Sequence, residues 1–167
     1  PTAAPTPAPT AAPSLLTANQ GVVASQLTTY NNDEVNNGAA NCLDRNTATE
    51  CVTDTTTSNN WWQVDLGTSG YIYRLEIWNR LNGAMEIRIG SVDAAADPTG
   101  NPVCFSIPRE PTWTQRTYDA TSFEDAACSL PSRYVVIRSV NDPNGHMTLF
   151  DVEVWGLDST PTPVPTA

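Results

Sequence analysis

Four cysteines, a single histidine and eighteen carboxylates are the groups of this chain best suited to chemistry. His146 lies in the loop Asn144-Gly145-His146-Met147, where an imidazole is solvated, so it is not read as a catalytic base. The acidic side chains are scattered over strands and turns with no sign of a deep cleft, so no glycosidase-like pair stands out. Cys42, Cys51, Cys104 and Cys128 show no C-x-x-C spacing, and one histidine does not complete a zinc site. They read as two disulfides made in an oxidising compartment. Four cysteines allow three pairings, and nearest-neighbour pairing gives Cys42–Cys51 and Cys104–Cys128. Five tryptophans offer a stacking surface for sugars. Trp113, in a proline-rich turn region (108–114), is the best candidate for an exposed one.

The elements that must position these groups are short strands. Trp61 to Leu66 reads as a strand stopped by Gly67, and Tyr71 to Trp78 as a half-buried strand. Met85 to Ile89 alternates cleanly and ends at Gly90. Tyr134 to Arg138 and Leu149 to Trp155 are rich in β-branched and aromatic residues. Clusters of Gly, Asn, Asp and Pro separate the strands, and no stretch holds helical periodicity for three turns. Such a pattern predicts an all-β sandwich or jelly roll. Trp61 and Trp62 must point to opposite faces, one toward the core and the other nearer the surface. Trp78 and Trp155 are expected in the core.

Composition divides the 167 residues into three. Residues 1–13 contain only Pro, Thr and Ala, 14–158 form the domain, and 159–167 return to Pro and Thr. The two ends hold eight of the fourteen prolines, too little apolar surface to fold and enough proline to favour polyproline II. At ~3.1 Å per residue the first tract spans roughly 40 Å. Thr beside Pro and Ala is the composition of O-glycosylated stalks, with Thr2, Thr6, Thr10, Thr160, Thr162 and Thr166 as candidate acceptors. No N-x-S/T sequon occurs, so any glycan is O-linked. Pro1 opens directly into this tract, so a processed or excised piece of a longer chain is expected. A net charge of −10 opposes binding to nucleic acid or to anionic lipid. No apolar run approaches the ~20 residues of a membrane helix.

Seven segments stand out in order along the chain: Ala24-Ser25-Gln26, Leu43 to Thr47, Trp61 to Gly67, Leu81 to Gly90, Asn101 to Cys104, Arg133-Tyr134-Val135 and Phe150 to Val154. In register, they resemble the F-type lectins (fucolectins), a branch of the discoidin-like, galactose-binding-like β-sandwiches. The resemblance covers nearly the whole central domain. It implies a discoidin-like jelly-roll β-sandwich and a calcium ion tying an early loop to the last strand. By position, Asp44 and Asp151 would give carboxylates, and Asn41, Asn46 and Phe150 backbone carbonyls. A hydroxyl near Thr53 or Thr55 would complete the set. Asp151 is shorter than the Glu usual there. Arg45 replaces the usual Gly, which places a positive charge near the ion and opposes the turn. Without an ion, Asp44 and Asn46 would form only an Asx turn.

The resemblance breaks at the sugar site. The family holds fucose with a His just after a Cys, with two Arg flanking an Asp, and with a vicinal disulfide. Here Val52 and Thr53 follow Cys51, and Arg80 fills only one Arg position. Phe150 stands where the last strand has a cysteine, which leaves Cys51 for Cys42. Losing several charge-assisted hydrogen bonds, each worth ~1.5–3 kcal/mol, removes ordinary fucose affinity. Arg80, Thr53 and Trp113 remain as candidates for a different sugar. Two functions follow, both non-enzymatic and extracellular. The first is a structural bead with O-glycosylated connectors that assembles with copies of itself into a fibre or surface layer. The alternative is a carbohydrate-binding lectin or adhesion module of altered specificity, with glycans as partners.

Overall fold

The computed structural model describes residues 12–54, 59–80, 83–108, 113–140 and 146–158, without the side chains of 80, 113–115 and 158. The candidate acceptors Thr2, Thr6, Thr10, Thr160, Thr162 and Thr166, and the calcium candidate Thr55, lie outside the described residues.

Nine antiparallel strands are described: β1 Ser14–Leu15, β2 Val23–Gln26, β3 Cys51–Val52, β4 Trp61–Arg80, β5 Ala84–Gly90, β6 Val103–Ile107, β7 Trp113–Asp119, β8 Ser132–Val140 and β9 Thr148–Asp158. One four-residue helix, α1 (Glu34–Asn37), precedes β3. The expected strands 61–66 and 71–78 are one continuous strand, β4. Its first half pairs with β2 and β8, and its second half with β7 and β9. β4 therefore belongs to both layers. The pairing with β8 shifts register between Asp65 and Gly70, and Gly67 there takes φ +77. Glycine bends the strand at that point instead of ending it. Asp65 Oδ1 accepts the Gly67 N–H at 2.8 Å. Arg133 at the start of β8 donates from Nε and Nη2 to the two Asp65 oxygens, each at 2.7 Å. The Arg133 guanidinium holds the Asp65 carboxyl below the usual carboxylate range.

The alternation in β5 buries Met85, Ile87 and Ile89 as expected. They join Trp62, Val64, Leu75, Ile77, Ile137, Val152 and Val154 in the core between the layers. Trp62 also donates its indole N–H to the Ala39 carbonyl at 3.0 Å. Trp61 does face the other way, yet it too is buried, packed with Ala94, Tyr134 and Val136. The segment after β5 covers it, held by Gln63, which donates to Asp93 at 2.7 Å and accepts from the Ala94 N–H at 2.9 Å. Trp78 and Trp155, expected in the core, are only half-buried on the outer face of the second layer. Trp113 lies in no turn region but opens β7.

Both disulfides join nearest neighbours, Cys42–Cys51 and Cys104–Cys128, with Cα separations of 5.6 and 5.8 Å. Near the chain ends, β9 approaches β4 so closely that a Cβ on Gly156 would strike the Tyr71 carbonyl oxygen and come within 2.8 Å of Leu16. Gly156→Ala is expected to destabilise by about 1–3 kcal/mol, as overpacking does. Urea unfolding should show a lower midpoint at constant slope.

Candidate functional site

At one end of the second layer, the strand register sets residues from four strands in a row. Val52 of β3 is opposite Thr148 of β9, Thr148 is opposite Arg80 of β4, and Arg80 is opposite Trp113 of β7. Two of the three sugar-binding candidates, Arg80 and Trp113, are thus cross-strand neighbours, though their side chains lie outside those described. The third, Thr53, has a different task. It is 1% exposed, and its hydroxyl accepts the Met147 N–H at 2.8 Å while its own N–H donates to the Met147 carbonyl at 3.0 Å. That pair of bonds fastens the entry to β9 and leaves Thr53 closed to a ligand. His146 is half-buried beside it.

On the same layer, the loop after the turn Ala39–Leu43 folds over the outer face of β9. Asp44 Oδ1 accepts the Asn46 N–H at 2.9 Å, which is the Asx turn. Arg45 does not prevent it, because it adopts the left-handed conformation at φ +61. Its guanidinium turns to Glu153, with Nε 3.3 Å from Oε1. The Thr49 hydroxyl lies 2.7 Å from Asp44 Oδ2, 2.7 Å from the Asn46 carbonyl and 3.5 Å from the Asn41 carbonyl. A hydroxyl has one proton, so it satisfies one of these three acceptors at a time. Asn41 is held by its side-chain amide, which donates to the Val35 and Glu50 carbonyls at 3.3 and 3.1 Å.

Asp151 on β9 is 3% exposed, and its Oδ1 has no hydrogen-bond partner among the described residues. Burial pushes its carboxyl up to about 6, and the negative charges of Glu153 and then Asp44 act in the same direction. Backbone N–H groups of Val152 and Arg45 oppose that rise. A cleft of about 450 Å³ lies between Asn36, Asn41, Thr49, Glu50 and Phe150, and neither Asp44 nor Asp151 lines it. Asp44, Asp151 and the carbonyls of Asn41, Asn46 and Phe150 would offer only oxygen donors, the kind a hard cation such as calcium takes. Among the described residues, no three Cys, His or acidic side chains gather as a metal site. The fit rests on two carboxylates, one of which carries the orphaned buried oxygen Asp151 Oδ1. Sequence reasoning missed Thr49 and Glu153. A hydroxyl two residues before Cys51 and an acid two after Asp151 were the available signals.

No protein-family model and no curated protein sequence matches the chain. Solved structures do match. A fucolectin from striped bass (Morone saxatilis) serum superposes with a TM-score of 0.66 at 26% identity, over 82% of this chain and 47% of that one. The chain thus spans about half the length of that lectin. Chitosan-binding module 1 of a Paenibacillus chitosanase/glucanase gives 0.63 at 16% identity, over 86% of this chain and 99% of the module. A Ruminococcus gnavus fucosidase in complex with fucose gives 0.65 at 12% identity, over 86% of this chain but only 26% of the enzyme. The neighbours therefore include lectin and carbohydrate-binding domains. Among the described residues no helix is long and apolar enough to cross a membrane. With its two bridged layers, its disulfide-tied loop and these structural neighbours, the chain has the F-type lectin, galactose-binding-like fold, an all-β discoidin-like sandwich.

Proposed function

We propose that this chain is a secreted, non-enzymatic carbohydrate-binding module whose ligand is a sugar other than ordinary fucose. The observation that carries the reading is the cross-strand pair Arg80–Trp113 at the loop end of the sandwich. Arginine supplies planar paired donors for vicinal hydroxyls, and tryptophan supplies an apolar face for the C–H side of a pyranose. The likeness to a fucolectin and a chitosan-binding module supports the same class of ligand. Calcium, held by Asp44, Asp151 and the carbonyls of Asn41, Asn46 and Phe150, would neutralise the buried charge of Asp151. It would also fix the loop against β9. Two buried disulfides favour an extracellular site of action. The self-assembling bead becomes the second reading, because it rests on Pro/Thr tracts outside the described residues.

A glycan array probed with the full chain tests this. Retention of a defined saccharide set, weakened at least about tenfold by Arg80→Ala or Trp113→Ala, is the expected result, since each removes a charge-assisted or stacking contact. An array with no saccharide above background would overturn the reading and return the bead to first place.

A further inference from the structure

A second pocket, of about 330 Å³, lies on the outer face of the second layer and is lined by Pro13, Tyr73, Arg74, Asp119 and Trp155. Register explains its composition. Leu15 of β1, Trp155 of β9, Arg74 of β4 and Asp119 of β7 are successive cross-strand partners. Arg74 is six residues from Arg80 along β4, so the pocket is roughly 20 Å from the loop-end row.

We propose that this pocket is a second saccharide-binding site, for a hexopyranose that carries no acidic group. The inference rests on the carbohydrate-binding reading above but on different residues. Tyr73 is 40% exposed and Trp155 half-buried, which leaves aromatic surface in the pocket. The Arg74 guanidinium carbon is 4.5 Å from the centre of the Trp155 ring, and Glu76 holds Arg74 at 3.1 Å. Glu153 accepts from the Trp155 indole N–H at 3.2 Å. Arg74 on the pocket wall supplies guanidinium donors, and the exposed carboxylate of Asp119, its cross-strand partner, supplies acceptors. A ligand that matches this lining brings both an acceptor and a donor, together with an apolar face. Sugar hydroxyls do both, and the C–H face of a pyranose packs on an aromatic ring.

Two alternatives fit less well. With Asp119, Glu76 and Glu153 nearby and a chain charge of −10, a carboxylated or sulfated sugar is repelled. A proline-rich segment, such as the tract that reaches β1 at Pro13, lacks N–H groups at its prolines and offers mainly carbonyl acceptors. It would leave Asp119 unmatched. A neutral or amino-substituted pyranose answers every exposed group, and two separate sites on one module would give avidity for polymeric glycans.

The test uses the ¹⁵N-labelled full chain, whose five tryptophans give separate indole N–H signals. The probes are a β-linked glucosamine trimer, galactose, and a synthetic peptide of residues 1–13. Trp155→Phe and Trp113→Phe assign the two reporter signals. The expected result is a saturable shift of the Trp155 signal with a saccharide, weakened about tenfold or more by Asp119→Asn and by Tyr73→Ala and kept in Arg80→Ala. Both positions are exposed, and unchanged melting temperatures confirm that the variants are folded. A shift of Trp113 alone would overturn the pocket and leave the loop-end site standing. A shift of Trp155 alone supports the pocket and removes the loop-end site. No shift with either sugar overturns both. A Trp155 shift with the peptide and not with sugar overturns the saccharide in favour of a proline-rich occupant.

Discussion

In chelator at pH 7.5, Asp151→Asn should raise the stability of the domain, and in calcium it should lower it. The wild-type carboxylate is 3% exposed, with one oxygen unpartnered and with Glu153 and Asp44 nearby. Its folded-state value, about 6, lies above its ordinary 3.8. The folded protein therefore binds this proton more tightly than the unfolded chain does. Without metal, stability falls as pH rises through 6 and is regained as pH drops toward 4. A shift of this size corresponds to about 2–3 kcal/mol at neutral pH, and the amide avoids that cost. Bound calcium would reverse the sign, because it would hold the deprotonated carboxylate and compete with the proton. At a hundredfold excess over its dissociation constant the ion adds ~2.7 kcal/mol to the wild type. The amide variant, lacking the charge, gains little. Urea curves at pH 5.0 and 7.5, each with chelator and with millimolar calcium, measure all four cases. Identical pH slopes with and without calcium would remove the ion from the proposed site.

The second large effect concerns Cys104–Cys128, which encloses a sequence separation of 24. Loop-closure entropy assigns such a bridge about 3.5 kcal/mol, against about 2.5 for the nine-residue separation of Cys42–Cys51. All four cysteines are buried, so replacing a pair by serine also places hydroxyls in the core. Removing the longer bridge should therefore lower the unfolding midpoint more, since it ties β6 to the turn Ala126–Ser129. Removing the shorter one should cost less stability yet abolish the calcium response, because Cys42 anchors the loop that carries Asp44. Denaturation curves of the two double-serine variants, with and without calcium, separate the effects. Equal losses with the calcium response intact in both would contradict the assignment.

Local pattern was sufficient for some elements and misleading for others. Alternation from Met85 to Ile89 assigns its buried face correctly, because period two is a property of the strand itself. Cysteine spacing admitted three pairings, and the nearest-neighbour one is present. Gly67, a plausible stop, is a bend within β4, because Asp65 and Arg133 secure the chain on both sides of it. Trp61 points away from the main core as alternation requires. It is nevertheless buried, by a segment some thirty residues later that binds Gln63. Thr53 has the type of a sugar ligand and the burial of a structural clamp.

The sequence by itself determined the all-β class, the strands with clean alternation and, through a run of short motifs, the lectin-like sandwich. Set against the lectins it resembles, it also lacks the side chains expected to hold fucose, and absent side chains need no geometry. Only the tertiary structure decided that the Asp44 charge acts on the buried Asp151, that Arg80 stands opposite Trp113, and that Tyr73, Arg74, Asp119 and Trp155 share one pocket. The reason is physical. Side-chain direction within a strand follows from its neighbours one and two residues away, whereas convergence of distant residues depends on strand register, and register is set by packing of the whole core.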